Sequence, residues 1–97
     1  MIEYDGTSYE LAYGRRRIEV AEASLGKSIL AVFSDRPTIK DLVITMACGM
    51  RREGESAWMN PKQASKVAEE CVEELGYATC YQQTIEAIDR DCGFLFR

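Results

Sequence analysis

Three stretches of this sequence hold residue types that can do chemistry. "GRRRIEVAEASLGKS", Gly14 to Ser28, opens on Arg15, Arg16 and Arg17, a set able to grip phosphates, and ends on Gly-Lys-Ser, as a phosphate-binding loop does. Four cysteines, Cys48, Cys71, Cys80 and Cys92, are potential metal ligands or nucleophiles. Glu69, Glu70, Glu73 and Glu74 crowd one short segment, where they can meet a cationic surface.

The chemistry thins out on inspection. A phosphate loop ending at Gly26-Lys27-Ser28 requires a second glycine at position 21, which is Ala21. Successive helical residues turn by about 100°, so the three arginines spread over roughly 200° instead of forming one basic stripe. Glu19 and Glu22 follow within a turn or so and dull the positive field. The run reads as a solvated charge cluster, with contact to a phosphate or an acidic partner as the alternative. The cysteines are 23, 9 and 12 positions apart, and the chain has no histidine. Structural zinc sites use closely spaced Cys and His pairs, so no metal and no other cofactor is expected, and the thiols read as small buried apolar groups. Without histidine the usual general base is missing, and no enzyme is expected.

Charge points the same way. The net charge is −4, with eight basic and eight acidic side chains in residues 1–54 but four and eight in residues 55–97. A nucleic-acid binder concentrates positive charge, so none is expected as partner. The longest apolar run, Ile29 to Phe33, is far short of the ~20 residues of a membrane span. "MIEYDG" is acidic and precedes no apolar stretch, so no secretory leader is expected and the reading places the chain inside the cell.

The elements that must position these residues form one domain over residues 1–97, mainly α with an N-terminal β-hairpin and about four helices. Residues 2–13 predict the hairpin around Asp5-Gly6, which pairs Tyr4 with Thr7, Glu3 with Ser8 and Ile2 with Tyr9. Ile2, Tyr4, Tyr9, Leu11 and Tyr13 then share its apolar face. Helical spacing over about 15–25 places Ile18, Ala21 and Leu25 on one side, with Gly26 as the left-handed cap. "KSILAVF" is too short to assign by periodicity. Thr38 opens a helix over about 39–52, apolar on most sides through Ile39, Leu42, Val43, Met46, Ala47 and Met50, and widened by Ile44 and Cys48. Such a helix belongs in the middle. Asn60-Pro61 opens the helix of 61–75, which Gly76 closes, and Thr79 with Gln82 caps a last helix over about 79–92 whose Tyr81, Thr84, Ile85, Ile88 and Cys92 share a face.

The glutamate cluster is locally unfavourable. Glu69/Glu73 and Glu70/Glu74 are like-charged pairs four apart, costing about 0.2–0.5 kcal/mol each, near a helix end whose dipole also opposes them. Such a face serves solubility or docks a basic partner. Trp58 in the loop, and Phe94, Leu95 and Phe96 in the tail, are apolar residues outside the periodic stripes, which either close the core or form a patch for a partner helix.

The order of these strings resembles one family, the tail assembly chaperones of long-tailed bacteriophages and gene transfer agents. "YDGTSYELAYG" is similar to the family's opening strand, Asp-Gly turn and Tyr-x-Leu strand, and "RRRIEVAEASLGKSI" to its Glu-x-x-Leu-Gly-Lys-Ser stretch. "PTIKDLVITMACGMRREG" and "MNPKQASKVAEECVEELGYATCYQQTIEAI" are similar to the helices that follow, so the resemblance spans residues 2 to about 90. It implies a non-enzymatic protein of the bacterial cytoplasm that binds the tape-measure protein during tail assembly, with the tail tube protein as a further candidate partner, and that is not expected in the mature virion. Self-association into an oligomer fits the same reading. The alternatives are a structural virion protein of the head-tail connector or tail terminator type and a small helical DNA-binding regulator; the latter requires a basic recognition helix where this chain has an acidic one.

Overall fold

We analysed a computed structural model that describes all residues, Met1–Arg97. Strands β1 (Ile2–Tyr4) and β2 (Thr7–Leu11) form the hairpin in the expected register, Ile2 opposite Tyr9, Glu3 opposite Ser8 and Tyr4 opposite Thr7. Asp5 and Gly6 both take positive φ, 51° and 76°, the backbone that a two-residue hairpin turn of the right twist requires. Ile2, Tyr9, Leu11 and Tyr13 are buried and Tyr4 packs against the same core, so the alternation places the face as the sequence implies.

Helices α1 (Arg15–Leu25), α2 (Ile29–Phe33), α3 (Ile39–Gly49), α4 (Pro61–Leu75) and α5 (Tyr77–Asp91) follow, and a 3-10 turn over Gly93–Phe96 closes the chain. Their starts obey local chemistry. The Thr38 hydroxyl accepts from the Asp41 amide at 3.0 Å, and the Asn60 carboxamide oxygen from the Lys62 amide at 2.9 Å, each satisfying a donor with no partner inside the helix. "ILAVF", unassigned by periodicity, becomes α2 because the Ser28 hydroxyl caps it at Ala31 and Glu22 receives the Ile29 amide at 3.0 Å.

Three expectations need correction. The helix expected to reach Arg52 stops at Gly49, and Met50–Arg52 form a third strand, β3, antiparallel to β2, with Leu11 opposite Met50 and Tyr9 opposite Arg52. The cause is Tyr13: its ring lies where a Cβ on residue 49 would sit, so only glycine fits, and the Gly49 carbonyl accepts from the Ala12 amide at 2.8 Å. The last helix begins at Tyr77, not Thr79, directly after Gly76, and it has no side-chain cap. Its buried face is Cys80, Thr84, Ala87 and Ile88; Tyr81 and Ile85 stand half-buried at its edge, because the small side chains let the helix backbone come close and Tyr81 turns aside to Phe33 and Tyr77, with ring centroids at 5.8 and 6.2 Å. Finally, Ile39, assigned to the apolar side of its helix, is 64% exposed, and Leu75 at the end of α4 is 38% exposed.

Helix α3 is the centre, packed by α1 on one side, α4 on another and α5 and β2 beneath. Leu42 and Met46 are wholly buried, and such side chains stabilise by about 1.5–3 kcal/mol each. The only buried polar side chains, Thr45 and Thr84, bond back to the carbonyls of Asp41 and Cys80 at 2.8 and 2.7 Å.

Candidate functional site

The arginine run is divided among different tasks. Arg15 and Arg16 are exposed, whereas the Arg17 Nε donates to the Cys48 carbonyl at 2.7 Å and its guanidinium lies 5.1 Å from the Trp58 ring centroid. Arg51 approaches the same ring at 5.5 Å, and the indole N–H donates to the Ala12 carbonyl at 2.9 Å. Trp58 is therefore held by two cations and a hydrogen bond and pins the loop onto α1 and the sheet. Lys27, from the Gly-Lys-Ser end, pairs with Asp41 at 2.9 Å and ties the end of α1 to the start of α3.

The four glutamates do not make one face. Glu70 accepts from the Tyr4 hydroxyl at 2.6 Å, clamping α4 to the hairpin. That hydrogen bond, then partial burial, then the carboxylates of Glu70, Glu74 and Asp5 push the Tyr4 hydroxyl up to about 12. Glu69 and Glu73 point away from this contact and line a groove between α4 and α3. In the tail, Leu95 packs on the core while Phe94 and Phe96 are 47% and 46% exposed; Phe96 lies beside Ile85, Glu86 and Asp89 of α5. Trp58, the glutamates and the tail thus occupy separate places, and the structure does not gather them into one patch.

All four cysteines are free thiols. Cys71, Cys80 and Cys92 are buried and Cys48 is half-buried; burial pushes each thiol up, Cys71 to about 11, which keeps them protonated and slow as nucleophiles near neutral pH.

Two concavities are large enough to matter. One, about 630 Å³, lies between the sheet and α5, but its charges are spent on each other. Arg51 pairs with Glu10 at 2.9 Å, and Arg90 pairs with Asp91 while donating to the Leu11 carbonyl at 2.6 Å. The Tyr13 amide donates to Asp91 as well, so this cleft is a seam that locks α5 to the end of the hairpin.

The other is a trench over α3, missed in the sequence reading. It holds about 780 Å³, with Ile39, Val43, Ile44, Val72 and Tyr77 as its apolar lining and Lys40, Ser65, Glu69 and Glu73 as its polar lining. A second hollow of about 240 Å³, bounded by Val20, Ala47, Cys48 and Pro61, shares Ile44 and Ser65 with it. The first hollow thus borders α3 against α4 and the start of α5, and the second borders it against α1 and the start of α4. The sequence signal was there: a helix apolar on nearly every side has more apolar surface than its neighbours cover, and Ile39 and Ile44 are what remains.

Compared with protein-family models, with curated proteins and with solved structures, the chain gives no match.

Proposed function

We propose that this protein is a chaperone of phage tail assembly that makes and breaks no covalent bond and holds the tape-measure protein in the bacterial cytoplasm until tail-tube subunits replace it. The observation that carries this reading is the open apolar trench over α3, whereas the other large cleft is crossed by the ion pairs of Arg51 with Glu10 and Arg90 with Asp91. The resemblance of the ordered strings from "YDGTSYELAYG" to "YQQTIEAI" supplies the identity of the helical client. A long fibrous client suits such a surface: each contact is weak enough to be exchanged, and several copies along one fibre give avidity.

Co-expression with the tape-measure protein tests the proposal. A soluble complex that co-purifies supports it; a client that stays insoluble with this chain in excess sinks it. Mass spectrometry of purified particles separates the chaperone from a structural virion protein: a chaperone is absent from them, and stoichiometric presence favours a connector or tail terminator.

A further inference from the structure

The trench also carries information about what fills it. Glu69 and Glu73, four residues apart on the α4 rim, form no ion pair, and they sit near the C-terminal end of that helix, where the dipole already opposes negative charge. Lys40 on the α3 side is equally without a carboxylate partner. A cation brought to the α4 rim relieves a repulsion that the folded protein otherwise retains, while an apolar stripe covers Ile39, the most exposed large apolar residue, and Ile44.

We propose that the occupant of this trench is an amphipathic α-helix of the client, its apolar stripe laid on α3 and its lysines or arginines, four apart, set against Glu69 and Glu73. This deepens the function proposed above and rests on it. A second copy of the chain is a poor occupant. Its exposed large apolar residues are Met1, Val20, Leu30, Ile39, Trp58, Leu75, Phe94 and Phe96, which puts at most one on any α-helix, so no helix of a second copy offers an apolar stripe to insert.

Cys48 provides a built-in reporter, since it lines the adjoining hollow, which shares Ile44 and Ser65 with the trench, and is only half-buried while the other three thiols are buried. The probes are two synthetic helical peptides of about eighteen residues, long enough to hold helix in water, with the same leucine stripe flanked by lysine in one and by glutamate in the other. The lysine peptide binds the intact protein about tenfold more tightly by fluorescence anisotropy, as two favourable charge contacts imply, and it slows alkylation of Cys48 by N-ethylmaleimide. Ile44→Glu removes binding; Glu69→Lys with Glu73→Lys, both fully surface-borne, inverts the peptide preference with the circular dichroism unchanged. Equal affinity for the two peptides, unaltered affinity in the glutamate variant, or a Cys48 that alkylates at the free rate in the complex overturns the inference. So does Cys48 protection that grows with protein concentration alone, which assigns the trench to self-association. The two proposals fail separately: a tape-measure protein that co-purifies equally well with Ile44→Glu leaves the chaperone standing and the trench wrong, whereas peptide binding with no tape-measure complex does the reverse.

Discussion

Tyr13 is engaged on every side. Its amide donates to Asp91 at 2.8 Å, its hydroxyl to the Thr45 carbonyl at 2.7 Å, and its ring covers Gly49. Gly49→Ala therefore forces the ring or α3 to move; we expect a loss of about 1–3 kcal/mol, as overpacking typically causes, read as a lowered midpoint in thermal or urea unfolding. Tyr13→Phe removes only the hydroxyl and costs about 1–2 kcal/mol by the same measurement, the scale of one buried hydrogen bond. Tyr4 offers a different readout. Its ionisation is raised to about 12, chiefly by Glu70, so its contribution to stability is intact below the ordinary tyrosine value of about 10 and disappears as pH rises through 12. In an ultraviolet titration of phenolate, Glu70→Gln returns one tyrosine to the ordinary range; an unchanged curve shows that the carboxylate does not set it. The glutamate four residues on has no such hydrogen bond, so Glu70→Lys with Glu74→Lys disturbs the hairpin as well as the surface, and Glu69 with Glu73 is the cleaner pair to reverse.

Among the elements, α4 and α5 are separated by Gly76 alone. Its φ of 96° and ψ of 149° belong to a region that is essentially glycine's own, yet a Cβ there would touch nothing within 4 Å. Gly76→Ala is thus costly through the backbone and not through packing, about 1–3 kcal/mol in chemical denaturation, and replacement by the still smaller set of left-handed-tolerant residues such as Asn does not rescue it fully. The hairpin, α1 and α4 were legible because their determinants are local: Asp5-Gly6, the cap at Gly26, and Asn60-Pro61 with a clean apolar stripe. The third strand was not, because nothing within 50–52 distinguishes strand from helix; what stops α3 is a ring 36 positions earlier in the chain, counted from Tyr13 to Gly49. The trench was hidden for the same reason. A stripe too wide for one partner is visible in a sequence, but which part of it neighbours leave open is decided only when α1 and α4 are in place. The glutamate cluster was found and its division was not, since the Tyr4 contact joins residues 66 apart.

At the scale of the molecule, one cluster of buried residues runs from Ile2 to Cys92 and takes side chains from the sheet and all the longer helices. Its two ends meet at the seam where Arg90 and Asp91 hold the end of β2. Hydrogen bonds from the Arg90 guanidinium hold the Asp91 carboxyl below the usual carboxylate range, against the opposing effect of burial, with the Tyr13 amide assisting. A carboxyl depressed on folding stabilises above its unfolded value of about 3.9 and loses that contribution as pH falls through the folded value. Acid unfolding of the wild type should accordingly steepen below about pH 4, and Asp91→Asn should be weaker at neutral pH and flatter in that window; parallel curves would show that the seam bears no load. The same seam constrains synthesis. While the nascent chain is still on the ribosome, β3, α3 and α4 can take hold of the opening strands, but the bonds of Arg90 and Asp91 to Leu11 and Tyr13 form only when those residues emerge, so a polypeptide released before Arg90 should fray at the end of β2 and be cut there by cellular proteases.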